Sequence, residues 1–170
     1  MKEIQSLVGL LNFACSVIVP GRAFLRRLID VRTGMKSPFH CICLKKEAKA
    51  DLKVWGDFLA NCNGKSIFLE DRWCNSMYLN LYTDDSGVLG KWCYGAWPVK
   101  WTSFNIAFLE FYSIVIDLFL WGDELRNRCI LFFTDNESLV HVINKQSCRD
   151  KQLMVFVRKL VLICLKQYFV

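Results

Sequence analysis

The sequence predicts an α/β fold in which a small helical segment precedes a layered domain. In the first 64 residues, apolar side chains recur at the three- and four-residue spacing of helices. After residue 64, short apolar segments typical of strands alternate with helical patterns. Such alternation is typical of a sheet that packs under helices. We therefore predict two domains, at residues 1–64 and 65–170.

Three helices are predicted in the first domain. The first ends at the Pro-Gly pair of residues 20–21, the second covers about residues 22–31, and the third covers about residues 45–61. Glycines follow the second and third helices and favour their termination. The apolar face of the first helix consists of Ile4, Leu7, Val8, Leu11, Cys15 and Ile18.

Strands and helices follow one another in the second domain. The predicted strands are residues 67–69, 77–83, 92–97 and 129–134, and the predicted helices are residues 105–121, 136–145 and 150–167. The second of these strands alternates apolar and polar residues and runs into DDSG at residues 84–87, which is a turn signal.

The composition indicates a globular protein with a basic front. Hydrophobic residues make up 54% of the chain and aromatic residues 14%, which excludes a disordered protein. The net charge of +6 divides into +5 for residues 1–64 and +1 for residues 65–170. A basic front suits a module that binds a polyanion, although an ordinary soluble surface would look the same.

Cysteine usage and hydropathy indicate the compartment. Nine cysteines without a disulfide-framework spacing favour a reducing environment. The apolar run at residues 7–19 loosely resembles a signal peptide, but Glu3 is acidic and no cleavage site follows. Glu110 and Asp117 interrupt the longest apolar stretch, so no membrane span is predicted. We predict an intracellular protein, cytoplasmic or nuclear and not secreted.

Three acidic residues are candidates for a common site. Asp84 and Asp135 end predicted strands, where α/β sheets build their sites, and Glu110 lies in a predicted helix. Each also has a simpler explanation. Asp84 could begin a turn, and Glu110 could belong to a solvated stripe with Ser113 and Asp117. Asp135 could lie within a capping box, with Thr134 as the cap and the glutamate at residue 137 reaching back.

Four segments together resemble a known family. LYTDDSG (81–87), LEFYSIV (109–115) and ILFFTDNESLVHVINKQS (130–147) resemble the RNase H-like domain of retroelement polyproteins, specifically tyrosine-recombinase retrotransposons of the DIRS type. QSLVGLLNFACSVIVPGRAFLRRLID (5–30) resembles the segment after the polymerase palm, which is the thumb or connection of the reverse transcriptase. The resemblance covers nearly the whole chain.

The resemblance implies an RNase H-like mixed sheet with flanking helices, and hydrolysis of the RNA strand of RNA/DNA hybrids. Such a site uses two Mg²⁺ or Mn²⁺ ions, which are hard cations that prefer oxygen ligands. By resemblance, Asp84 would bridge the two metals, and Glu110 and Asp135 would ligate one of them and fix its position. Spacing alone does not separate Asp84 from Asp85; the resemblance selects Asp84. The implied partners are a hybrid or other nucleic acid and the rest of a reverse transcriptase polyprotein.

The sequence also departs from the family pattern. The family's fourth acid, near the C-terminus of the domain, has no counterpart before Val170, and the sheet is expected to lack one strand near residue 91 and to be incomplete at the C-terminus. Two interpretations follow: a metal-dependent ribonuclease H fragment, or a catalytically inactive retroelement relic with residual nucleic-acid binding. The missing acid favours the relic for this chain and the enzyme for its origin. An unrelated interaction protein is a third interpretation.

Three further groups are candidate binding residues. A phosphate-contacting face and a merely solvated helix face explain the first group equally well, which consists of Arg22, Arg26, Arg27, Arg32 and Lys36. Zinc binding by the second group is not expected, because Cys-x-Cys is not a usual ligand spacing; that group consists of His40, Cys41 and Cys43 with Cys62 or Cys74. His141 lies in a predicted helix and is expected to be a structural or surface residue.

Overall fold

The chain forms two compact units, Met1–Leu69 and Glu70–Val170, called here the N-terminal and C-terminal units. The computed structural model describes residues 2–33, 41, 43–61, 73–75, 99–101, 103–125, 129–132 and 134–168. Their helices and strands are α1 (Lys2–Ala14), α2 (Arg22–Arg32), α3 (Lys46–Asn61), β1 (Trp73–Asn75), α4 (Ile106–Trp121), β2 (Cys129–Leu131), α5 (Glu137–Lys145) and α6 (Leu153–Tyr168). The predicted domain boundary at residue 64 lies outside the described residues.

All six predicted helices are confirmed, but the first ends earlier than predicted. α1 stops at Ala14, a turn follows, and a short 3₁₀ helix at Val19–Gly21 leads into α2. The Ser16 hydroxyl donates a hydrogen bond to the Phe13 carbonyl at 2.8 Å. Such a local side-chain bond competes with the helical hydrogen-bond pattern and helps to end the helix.

The N-terminal unit is built around α2, which packs against both α1 and α3. The Trp55 side chain of α3 is only 1% exposed and lies against Gly21, where a β-carbon would come within 2.3 Å of the indole ring. Farther along α2, Arg27 contacts Asp51. Since contacts move toward the N-terminus of α3 as α2 advances, the two helices are antiparallel.

The C-terminal unit is centred on the contact between α4 and α6. Phe111 of α4 is completely buried, and its ring lies 6.0 Å from that of Phe156 on α6. The Asp150 carboxylate accepts hydrogen bonds from two backbone amides, of Gln152 at 2.7 Å and Leu153 at 3.2 Å. This cap satisfies amides that would otherwise lack a partner at the start of α6.

The prediction of an RNase H-like mixed sheet with flanking helices is wrong. The described residues are mostly helical, and their sheet is a parallel pair of three-residue strands, with Trp73 opposite Cys129 and Asn75 opposite Leu131. The main packing partner of α4 is another helix, α6, and not a sheet. A helix that is apolar on several sides can bury itself in either way, so its sequence does not distinguish them.

The individual strand predictions have different outcomes. The strand at residues 129–134 is confirmed only as Cys129–Leu131. The strand Trp73–Asn75 was not predicted. The predicted strands at residues 67–69, 77–83 and 92–97 lie outside the described residues.

Candidate functional site

Glu110 lies in the second turn of α4 and is half-buried. Its Oε2 atom is buried and has no hydrogen-bond partner in the part of the chain that the structure describes. Asp117, two turns further along, is only 5% exposed, and the half-buried Ser113 donates a hydrogen bond to the Leu109 carbonyl at 3.3 Å. The interpretation of these residues as a solvated stripe is therefore wrong.

Asp135 is exposed in the short connection between β2 and α5. The predicted capping box is wrong, because Asn136 and not Thr134 caps the helix. The Asn136 Oδ1 atom accepts hydrogen bonds from the Leu139 amide at 3.2 Å and the Ser138 hydroxyl at 2.6 Å. Thr134 instead accepts a hydrogen bond from the Asn136 amide at 3.2 Å, which tightens the preceding turn.

The predicted metal site is only partly covered by the structure. Asp84 lies outside the described residues, and Glu110 and Asp135 have different environments, one half-buried and one exposed. Among the residues that are described, no group of three or more His, Cys, Asp or Glu side chains could hold a metal ion. The described residues therefore do not by themselves form a two-metal site. Binding of Mg²⁺ or Mn²⁺ stays a prediction.

The remaining sequence-based candidates are the possible zinc ligands and His141. Cys41 and Cys43 are exposed free thiols, whereas His40 and Cys62 lie outside the described residues. His141 is also exposed, with its Nε2 atom 3.9 Å from a carboxylate oxygen of Glu137, itself exposed, one helical turn away.

Thiol alkylation at pH 8 is expected to be much faster at Cys41 and Cys43 than at Cys164. Burial raises the pKa of Cys164 from its ordinary value of 9.0 to about 11, so little of this thiol is in the reactive thiolate form. A raised pKa means that the folded state favours the neutral thiol. The contribution of Cys164 to the free energy of unfolding is therefore present below pH 9 and is lost as the pH rises through 11. Peptide mapping after timed labelling with iodoacetamide measures the rates. Equal labelling of Cys164 and Cys41 in the folded chain would contradict this prediction.

The predicted phosphate-contacting arginines of α2 are not equivalent. Arg22 is exposed at the start of the helix. Arg26 forms an ion pair with Asp30 at 3.0 Å, and Arg27 forms one with Asp51 at 3.0 Å. Asp51 is only 2% exposed, so the second pair is part of the packing between α2 and α3.

A phosphate-contacting face that comprises Arg22, Arg26, Arg27, Arg32 and Lys36 therefore stays a prediction. Arg26 and Arg27 each pair with an acid of the same unit, so a phosphate would have to compete with Asp30 and Asp51 for them. The side chain of Arg32 and the whole of Lys36 lie outside the described residues.

A row of exposed lysines on α3 was not among the sequence-based candidates. Lys46, Lys49 and Lys53 occupy positions i, i+3 and i+7, which fall on one face of a helix, and all three are exposed. That spacing could have been recognised in the sequence. The arginines of α2 form a denser cluster and are the stronger signal in the sequence.

The outer face of α1 contains an exposed aromatic ring. Phe13 is 79% exposed, and Gln5, Gly9 and Asn12 lie beside it on the same face and are also exposed. A β-carbon added at Gly9 would meet nothing within 4 Å. This face therefore combines amide groups, a ring and a place where a ligand can approach the backbone closely.

Comparisons with family models, with curated proteins and with solved structures find no match to this chain. Among the helices that the structure describes, none is long and apolar enough to cross a membrane.

Proposed function

We propose that this chain is a catalytically inactive retroelement-derived fragment whose N-terminal unit binds nucleic acid. The observation that carries the proposal is the exposed positive charge of that unit. Two of its acids, Asp30 and Asp51, are held in ion pairs, whereas Arg22 and the lysines of α3 are exposed. Phosphate contacts by exposed cations supply most of non-specific nucleic-acid binding.

The outer face of α1 supports the same proposal. Amide side chains such as those of Gln5 and Asn12 can hydrogen-bond to base edges in a minor groove, and apolar side chains can insert between base steps. Phe13 offers such a side chain, and Gly9 lets a duplex approach the helix backbone. An RNA/DNA hybrid is the ligand that the sequence resemblance implies.

The full chain is expected to bind a labelled RNA/DNA hybrid without cleaving it. Because the contacts are mostly to phosphate, affinity should fall by at least about tenfold between 50 and 200 mM salt. Fluorescence anisotropy measures the binding, and denaturing gels with Mg²⁺ or Mn²⁺ present measure the cleavage. No binding at 50 mM salt, or binding that does not depend on salt, would refute the proposal.

A second candidate function is hydrolysis of the RNA strand of the hybrid. The observation that favours it is the buried Oε2 atom of Glu110, which lacks a hydrogen-bond partner among the described residues. This candidate requires cleavage that is lost in each of the variants Asp84→Asn, Glu110→Gln and Asp135→Asn. Cleavage that persists in all three would indicate a contaminating nuclease.

The proposed setting is intracellular, in the cytoplasm or nucleus, where hybrids arise during reverse transcription. The exposed free thiols of Cys41 and Cys43 suit a reducing compartment. The proposed protein partner is the rest of a reverse transcriptase polyprotein.

A further inference from the structure

The outer face of α3 combines positive charge with an absence of bulk. Lys46, Lys49 and Lys53 lie along it, all exposed, over about 10 Å of helix at a rise of about 1.5 Å per residue. Ala50 lies between these lysines on the same face and is also exposed. The flexible lysine side chains therefore project from a face on which Ala50 adds little bulk between them.

Gly56 continues this face beyond Lys53, and no contact among the described residues accounts for a glycine there. It lies within α3, where glycine is less favourable than alanine, and a β-carbon added to it would meet nothing within 4 Å. Gly21, in contrast, is a glycine because Trp55 fills the space of a side chain. Because it has no side chain, a glycine at this position allows another molecule to approach the helix backbone closely.

We propose that the outer face of α3 is the main phosphate-contacting surface of the chain, with the nucleic-acid backbone lying along Lys46, Lys49 and Lys53 and closest to the helix at Gly56. This inference rests on the proposed nucleic-acid binding and assigns it to one helix. The α2 arginines are the alternative, but Arg26 and Arg27 are already bound to Asp30 and Asp51.

Asp57 marks the end of this surface. It is exposed and lies four residues after Lys53, on the same face of α3. A carboxylate repels phosphate, so the contact surface ends there. Replacing Asp57 with asparagine should remove this repulsion and tighten binding of the hybrid.

The triple variant Lys46→Gln/Lys49→Gln/Lys53→Gln tests the role of the lysines. If each lysine neutralises one phosphate, the negative slope of log affinity against log salt should become shallower by about 2 to 3 relative to the unchanged chain. The matched control is Lys145→Gln/Lys151→Gln/Lys159→Gln, which removes the same charge from exposed positions of the C-terminal unit. It should leave the slope nearly unchanged.

Two variants without a change in lysine charge test the close approach at Gly56. Gly56→Ala and Gly56→Gln should both raise the thermal midpoint, because each replaces a helical glycine. Only the longer glutamine side chain should weaken hybrid binding strongly. Gly56→Gln that binds as well as the unchanged chain would overturn the close approach at this residue.

The outcomes separate this inference from the proposed function. If the unchanged chain does not bind the hybrid, the proposed function fails. If the unchanged chain binds and the α3 triple variant has the same affinity and salt slope, the assignment to α3 is overturned while the proposed function stands. Tighter binding by Asp57→Asn supports the assignment, and unchanged or weaker binding contradicts it.

Discussion

Replacing Gly21 with alanine is expected to lower the free energy of unfolding of the N-terminal unit by about 1 to 3 kcal/mol, the usual cost of overpacking a core. The added β-carbon would lie 2.3 and 2.5 Å from two carbons of the Trp55 ring, which is 1% exposed and cannot easily move. Backbone strain is not the cause, because φ at Gly21 is −59°, which any residue adopts. Urea denaturation followed by circular dichroism measures the change.

The matched control for Gly21→Ala is Gly9→Ala. Gly9 also belongs to the N-terminal unit, but a β-carbon there meets nothing within 4 Å. Because alanine is the better helix former, Gly9→Ala should stabilise the chain by up to about 1 kcal/mol. If both substitutions had the same effect, the contact between Gly21 and Trp55 would not explain the glycine.

Removing the carboxylate of Asp51 should also destabilise the N-terminal unit strongly. Asp51 is 2% exposed and accepts a hydrogen bond from Arg27 at 3.0 Å. Breaking a buried ion pair costs about 3 to 5 kcal/mol. Since the Arg27 side chain is 33% exposed and can turn toward water, we expect about 1 to 3 kcal/mol for Asp51→Ala. Chemical denaturation at neutral pH measures this loss.

The Arg26–Asp30 pair provides the comparison for this experiment. Its two side chains are 30% and 32% exposed and lie one helical turn apart, so Asp30→Ala should cost less than about 0.5 kcal/mol. The double variant Arg27→Met/Asp51→Leu replaces the Asp51 pair by apolar side chains and should recover most of the loss. A double variant no more stable than Asp51→Ala would contradict a loss caused by the uncompensated charge.

The helices could be predicted because each carries a periodic apolar face and a recognisable end. α3 begins one residue after its predicted start and ends where predicted, at Asn61. The start of α5 was harder to predict, because Thr134 and Asn136 are both good capping residues. Only the folded turn shows that Asn136 caps the helix. Local sequence limits the candidates for a cap without choosing between them.

The candidate site was less predictable because it depends on contacts between distant residues. The charge of Arg27 is taken up by Asp51, which lies 24 residues further along the chain, and no local pattern indicates that pairing. The same limit applies to the sheet. The apolar residues of α4 predicted a buried helix correctly, but not that α6 would be its main partner.

The antiparallel contact of α2 and α3 acts as a two-point attachment. Gly21 receives the Trp55 ring near one end, and Arg27 holds Asp51 one helical turn away along α3. Two separated contacts fix the direction of a helix axis, whereas a single contact would allow the helix to rotate about it. The orientation of α3 is therefore set by its contacts with α2. Sequence changes in the connection between the two helices can accumulate without changing the direction in which the lysines of α3 point.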